Sequence, residues 1–334
     1  MTHRTTAPSP SVSTGDLLQV DGLRAYFHAR SGPLKAVDGI SYSVAEGEAL
    51  AIVGESGSGK SIGVRTLLGL LPSGGYVAGG TARYGGLDLL TCGEKRLQKV
   101  RGKEIGMIFQ DALQSMNPTL TLKQQLTEHQ LRHRLCSKTE AVARAVEMLG
   151  KVGIPQPERR IEMYPFQLSG GLRQRAMIAM AMVTQPRLLI ADEPTTAVDV
   201  TLQRQILELL RQIKSEGTAM IMITHDLGVA RFLCDRVAVM YGGRIIESAP
   251  TEELLTSAQH PYTRGLLSST IEVGDAERAL TPIPGTPPSL HTVPQGCAFA
   301  PRCTLAEDPC HTDQELLTVS AGHQAACWKV PTRV

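Results

Sequence analysis

Aromatic rings are scarce in this sequence: one Trp, seven Tyr and five Phe in 334 residues. A surface that binds single-stranded nucleic acid stacks base after base on such rings, and there are too few here for that. Surplus charge is also missing. Thirty-four Lys and Arg stand against 32 Asp and Glu, a net of +2, so nucleic-acid binding by bulk positive charge is excluded. No apolar run approaches the ~18 residues that span a bilayer. The longest, Ala176 to Val183 and Ala219 to Ile223, have the length of core segments. Work at a membrane would therefore need a partner that holds the chain there. No secretory signal is evident, and the seven cysteines are an odd number that cannot pair completely. A reducing, cytosolic compartment is expected. Internal repeats are absent. The hydrophobic share of 42% excludes wholesale disorder, and the length suggests about two domains.

What is present falls into an order. Residues 1–15 are Ser-, Thr- and Pro-rich and read as a flexible tail. Strand-like runs follow at Leu17 to Phe27 and Ala36 to Val44. Ala49 to Val53 is almost continuously apolar, as a strand buried on both faces should be. From about 87 to 168 the chain is charged and helix-like, with one short apolar run at Ile105 to Phe109. Ser137 and Glu140 form a capping box ahead of Val142, Val146, Leu149 and Val152 at helical spacing. After residue 170 strands and helices alternate again. Leu188 to Ala191 and Ala219 to Ile223 read as strands, and Leu202, Ile206, Leu209 and Ile213 mark an amphipathic helix ending at Gly217. Val237 to Tyr241, Gly242-Gly243 and Arg244 to Glu247 read as a hairpin. The class is α/β, with a helical insertion. Seven prolines between Pro282 and Pro309 forbid long helices in the last 75 residues, which read as a small module of their own.

Gly54-Glu55-Ser56-Gly57-Ser58-Gly59-Lys60-Ser61 matches the P-loop pattern in full, after a strand and before a helix-like run. Its backbone N–H groups suit phosphate oxygens, aided by the helix dipole. Lys60 suits the β- and γ-phosphates of a nucleoside triphosphate, and Ser61 suits Mg²⁺. Leu188 to Glu193 is a buried strand that ends in two carboxylates: Asp192 suited to Mg²⁺, Glu193 to orienting the attacking water.

Leu168-Ser169-Gly170-Gly171-Leu172-Arg173-Gln174-Arg175 resembles the signature motif of the ABC-type ATPases. Gln110, which ends a strand read over Met107 to Gln110, resembles that family's Q-loop, Thr196 to Asp199 its D-loop and Thr224-His225-Asp226 its switch histidine. The resemblance covers about residues 17–257. It implies a RecA-like P-loop NTPase core with an antiparallel β subdomain, spanning residues 16–258, with a helical subdomain at about 95–168. It implies ATP and Mg²⁺, the latter held by Ser61, Gln110 and Asp192. Glu193, His225 and Gln110 become the catalytic residues, with His225 sensing the γ-phosphate. Ser169, Gly170, Gly171 and Asp199 would contact ATP held by a second, head-to-tail subunit. An aromatic before the P-loop would stack on adenine. Tyr26 and Phe27 alternate on a strand, so one of them faces the site, and Phe27 is the one expected to. His129 and His133 read as structural.

Gln110 to Pro118, His260-Pro-Tyr-Thr-Arg-Gly-Leu266 and the Cys/Pro-rich tail resemble the ATPase subunits of dipeptide/oligopeptide permeases. Relatives of these import nickel or oligosaccharides, and the cassette itself does not decide between cargoes. A soluble ABC ATPase acting in translation or repair is the reading from a different class. The importer reading implies a non-identical partner ATPase, two transmembrane permease subunits, an extracytoplasmic binding protein, and a peripheral place on the cytoplasmic face of the membrane. The tail, residues 259–334, carries Cys297, Cys303, Cys310 and Cys327 spaced C-x5-C-x6-C-x16-C. The tight pairs usual for structural zinc are absent. The family's tail motif, matched by Gly296, Cys297, Phe299, Arg302 and Cys303, implies a [4Fe–4S] cluster. Zinc, with His311 or His323 replacing a thiol, and plain reduced thiols are the other readings. Cys92, Cys136 and Cys234 read as packing residues.

Overall fold

The computed structural model describes residues 15–30, 32–196, 198–269, 282–289 and 293–330. The tail expected over residues 1–15 lies, apart from Gly15, outside the described residues.

Two sheets make the frame. The smaller is antiparallel, ordered β2-β1-β4-β5, from β1 (Asp16–Phe27), β2 (Leu34–Ala45), β4 (Gly75–Tyr84) and β5 (Leu87–Asp88). The larger, which includes β10 (Arg244–Pro250), β11 (Leu317–Ser320) and β12 (His323–Ala325), runs β11-β12-β10-β9-β3-β8-β7-β6. Its strands β3 (Ala49–Val53), β7 (Leu188–Asp192), β8 (Ala219–Thr224) and β9 (Arg236–Tyr241), with β6 (Ile105–Ile108) at one edge, pair in parallel. Every residue of β3, β7 and β8 is buried. That is why their sequences are continuously apolar rather than alternating.

The two faces of the large sheet have separate cores, sorted by residue parity along each strand. Leu50 and Ile52, Leu188 and Ile190, Ile221 and Ile223 join the antiparallel sheet and helix α1 (Lys60–Leu67). Ala49, Ala51 and Val53, Leu189 and Ala191, Met220 and Met222 face the helical side. In sequence the helices continue with α2 (Glu94–Val100), α3 (Ala112–Ser115), α4 (Leu122–Arg132), α5 (Lys138–Lys151), α6 (Pro157–Arg160), α7 (Gly170–Met182), α8 (Val200–Ser215), α9 (Leu227–Leu233), α10 (Thr251–Ser257) and α11 (Pro261–Ser268). Ser137 and Glu140 do form the capping box at the start of α5, and Thr121 with Gln124 forms a second one on α4. Within the span 95–168 the short apolar run contains β6 (Ile105–Ile108), an edge strand of the large sheet, so the strand expected over Met107 to Gln110 lies two residues earlier. Gly106 permits this: a Cβ there would stand 2.4 Å from the Ala181 carbonyl oxygen of α7.

The tail read as a small module of its own is built into the large sheet. β12 (His323–Ala325) pairs with β10 (Arg244–Pro250), and β11 (Leu317–Ser320) pairs with β12. The hairpin β9–β10 would otherwise leave an open edge, which a further strand covers. Among the described residues of the tail's proline-rich part, 282–309 and just beyond, the helical turns are two 3₁₀ turns, Ala300–Arg302 and Asp308–His311. Phe299 enters the helical-side core.

A buried glutamate–histidine pair pins this addition. Glu247 and His323 are 0% and 1% exposed, with His323 Nε2 2.8 Å from Glu247 Oε1 and Nδ1 3.0 Å from Glu253 Oε1. The Glu247 carboxylate also accepts from the backbone N–H groups of Gln259 and His260. A buried charge needs such a full set of partners. His323 has both ring nitrogens taken and is not a ligand held in reserve for zinc. Glu247→Ala is expected to lower the unfolding free energy by about 3–5 kcal/mol, measured by urea denaturation. A loss below about 1 kcal/mol would mean that the pair does not hold the tail.

Candidate active site

Four parallel strands deliver the site at their C-terminal ends, the side of an α/β sheet where ligands bind. β3 passes at Val53 into the P-loop and then α1. β6 leads to Gln110, β7 ends in Asp192 and leads to Glu193, and β8 leads to His225. Sheet order β3-β8-β7-β6 brings these loops side by side.

The P-loop lies tight against its neighbours. A Cβ on Gly54 would stand 2.1 Å from the Met240 carbonyl oxygen, and one on Gly59 would stand 2.2 Å from that of Ala36. Both glycines also have positive φ, 154° and 100°. Lys60 is buried, and its ammonium donates to the carbonyls of Gly54 (2.7 Å) and Glu55 (2.9 Å). Burial pushes its pKa down, against the pull of Glu193, Asp192 and Glu55. The lysine thus sits inside the loop that is shaped for phosphate.

Ser61 donates to Asp192 Oδ1 at 2.6 Å, and Arg65 bonds Asp192 Oδ2 at 3.1 Å. Asp192 is fully buried. A hydroxyl and a carboxylate oxygen this close, on the first turn of α1 and the end of β7, are hard oxygen donors suited to Mg²⁺. Glu193 follows with φ +48°, an uncommon conformation for a non-glycine residue. One oxygen, Oε2, gathers three groups: Thr196 Oγ1 at 2.8 Å, Gln110 Nε2 at 3.2 Å and His225 Nδ1 at 3.7 Å. Gln110, Glu193 and His225, far apart in sequence, therefore meet at one atom. His225 keeps 65% of its side chain exposed, so this cluster opens to solvent.

The remaining expected contacts lie elsewhere. Ser169 caps α7 by accepting from Leu172 N–H, and Asp199 caps α8 by accepting from Leu202 N–H. Ser169 and Gly170 are exposed. Among the described residues no hydrogen bond or ion pair joins Ser169, Gly170, Gly171 or Asp199 to the P-loop. Gln174 of α7 does reach the Pro194 carbonyl, one residue past Glu193, at 2.5 Å. Ala197 of the D-loop lies outside the described residues. Phe27 is half-buried where β1 meets Leu34 and Gly75. Tyr26 is committed to Asp38 through a 2.6 Å hydrogen bond, so it is not the free ring of the two.

The tail cysteines are all unpaired. Burial pushes the Cys297 and Cys327 thiols up. Cys310 and Cys327 add to the first shift, Cys310 and Cys303 to the second, so the four thiols act on one another. Among the described residues, however, no three His, Cys, Asp or Glu side chains form a group that could hold a metal ion. The single-ion zinc site therefore does not fit this arrangement, and the expected cluster is not seen as a ligand group.

Sequence reasoning missed several residues. Arg65 and Thr196 engage the two carboxylates, and Tyr262 and Arg302 engage Glu55. Tyr262 and Arg302 stood inside quoted motifs, but only the fold shows that they reach residue 55.

The comparisons agree with this geometry. The ABC transporter family model matches residues 37–196. A second, for the C-terminal region of oligopeptide/dipeptide transporters, matches residues 246–310. The oligopeptide transport ATP-binding protein OppD of Bacillus subtilis is 47% identical over 317 residues, covering 93% of this chain and 88% of that protein. OppD of Salmonella typhimurium is 44% identical over 326 residues, covering 97% and 96%. Among solved structures, the ATP-binding cassette MJ0796 in a dimeric, post-hydrolysis state bound to ADP and Pi superposes with a TM-score of 0.63 at 26% identity, over 70% of this chain and 98% of that one. With the P-loop and the paired carboxylates in place and relatives matched along more than nine-tenths of its length, the chain belongs to the ATP-binding subunits of oligopeptide ABC transporters.

Proposed function

We propose that this chain hydrolyses ATP to drive the import of di- or oligopeptides, docked at the cytoplasmic face of a membrane on two permease subunits. An extracytoplasmic binding protein delivers the cargo, and a second, non-identical ATPase completes each nucleotide site. The observation that carries the catalytic part is the gathering of Gln110, Thr196 and His225 on Glu193 Oε2, one residue past the Asp192–Ser61 pair.

The P-loop N–H groups of residues 54–61 and the Lys60 ammonium take the β- and γ-phosphates. Lys60 exchanges the Gly54 and Glu55 carbonyls for phosphate oxygens, a charge-assisted and stronger bond. Mg²⁺, when bound with the nucleotide, neutralises phosphate charge. Ser61 and Asp192 are the residues to hold it, with Gln110 beside them. Glu193 orients a water against the γ-phosphorus and accepts its proton as the new P–O bond forms and ADP leaves. His225 and Gln110 fix the direction of that carboxylate. Phe27 supplies the face for adenine.

The dimer reading rests on the start of α7. Its N–H groups form an anion site that the chain's own P-loop does not engage, and Ser169 and Gly170 are exposed there. ATP bound to one subunit then seats against Ser169, Gly170 and Gly171 of the other, beside Asp199. Among the described residues no helix is long and apolar enough to cross a membrane, so docking requires the permeases. In proteoliposomes holding the assembled complex, ATP hydrolysis should rise on adding the peptide-loaded binding protein. If the chain purifies from cells with ribosomes or DNA and without membrane proteins, the importer reading fails.

For the tail we propose a [4Fe–4S] cluster on Cys297, Cys303, Cys310 and Cys327. The support is the donor set read in the sequence, four cysteines spaced C-x5-C-x6-C-x16-C, with the Trp328 indole N–H 3.3 Å from Cys310 Sγ. Anaerobically purified protein should contain about four iron and four acid-labile sulfide per chain. Zinc without sulfide, or thiols free of both, rejects this.

A further inference from the structure

The P-loop does not stand alone on its strand. Glu55, its second residue, is gripped twice by the C-terminal part of the chain. Its backbone N–H donates to Tyr262 Oη at 2.9 Å. Its carboxylate receives both ends of the Arg302 guanidinium, Nη1 to Oε2 at 2.6 Å and Nη2 to Oε1 at 3.1 Å, across 247 positions of sequence. The arginine side chain is only 6% exposed. A bidentate arginine–carboxylate pair is strong and geometrically specific, and its worth grows when water is kept away.

Arg302 is itself fixed before it meets Glu55. Its Nε donates to the Pro284 carbonyl at 2.8 Å and its Nη1 also to Tyr241 Oη at 3.2 Å. The guanidinium carbon lies 5.8 Å and 5.9 Å from the ring centroids of Tyr241 and Phe299. The glutamate bonds hold its pKa above the usual arginine value. Each of the two groups is thus the main charged partner of the other, one on the phosphate loop and one beside Cys303.

We infer that Arg302 is a positioning residue for the phosphate loop. It holds Glu55, and with it the first turn of the loop, in the shape that receives the nucleotide. A glycine-rich loop has much conformational freedom to lose when it closes on phosphate. An anchor formed in the folded chain removes that freedom in advance, so less of the binding free energy is spent on ordering. The role falls to the tail rather than to the cassette core, so the tail bears directly on ATP affinity. This rests on the reading of residues 54–61 as the ATP site.

The test is a titration of the full-length chain with the fluorescent nucleotide MANT-ATP and Mg²⁺, on wild type, Lys60→Ala, Arg302→Ala, Arg302→Lys, Glu55→Gln and the Arg302→Ala/Glu55→Gln pair. Circular dichroism checks that each is folded. Lys60→Ala should lose binding. Arg302→Ala should bind about fivefold more weakly or worse, since an ordering cost returns. Arg302→Lys should recover part of the loss, and the double variant should be no weaker than the worse single one. In ATPase assays of the assembled complex, Arg302→Ala should raise KM with kcat changed much less. Should Arg302→Ala not fold, Glu55→Gln carries the same expectation alone. Folded Arg302→Ala or Glu55→Gln with wild-type affinity, or fully additive losses, overturns the inference. Lys60→Ala with undiminished binding would instead overturn the reading of the loop.

Discussion

The parallel register of β3, β8, β7 and β6 is the constraint from which the rest of the site follows. Parallel strands all point their C-terminal ends the same way. Four loops that span about 170 residues of sequence, from Gly54 to His225, therefore emerge at one rim. The P-loop, Gln110, the Asp192–Glu193 pair and His225 need no further device to meet. The strands can hold this register because their side chains are buried on both faces, against the antiparallel sheet on one side and the helices on the other. A polar residue within β3, β7 or β8 would face one of those cores rather than water.

The same logic explains how distant segments are tied to the rim. α7 starts in an exposed turn at Ser169 and reaches the loop past Glu193 through Gln174. A change at the helix start is thus mechanically close to the catalytic carboxylate. On the other flank, the hairpin β9–β10 carries the C-terminal strands, while Tyr241, Phe299 and Tyr262 pack ring against ring. That aromatic knot carries Arg302 to the P-loop. The scarcity of rings in the sequence is offset by concentration: three of the twelve Phe and Tyr sit together here.

Much of the cassette was legible in the sequence because its signals are local. A continuous apolar run, a capping box at Ser137 and glycines at Gly54 and Gly59 each impose their structure within a few residues. The site residues were legible because each sits just past such a run. Long-range pairing left no comparable signal. Nothing local says that Ile105–Ile108 joins the sheet edge, that His323 is held by Glu247 and Glu253, or that Arg302 meets Glu55. The tail misled in a specific way. Its prolines exclude long helices, and among the described residues from 282 onward there are only short 3₁₀ turns, but they suggested a separate unit where the fold uses two short strands to close the edge of β10. The cysteine spacing excluded tight zinc pairs without fixing how the thiols are arranged.

Catalysis in this proposal turns on Glu193 as the base for hydrolysis of an ATP held by the P-loop. The direct measurement is single-turnover ATP hydrolysis by the assembled complex carrying Glu193→Gln, with nucleotide binding measured on the same preparation. Glutamine keeps the shape of the side chain but cannot take the proton. Hydrolysis should fall by about 10²–10⁴-fold while ATP binding is retained. Hydrolysis at the wild-type rate in a complex that binds ATP would contradict the assignment.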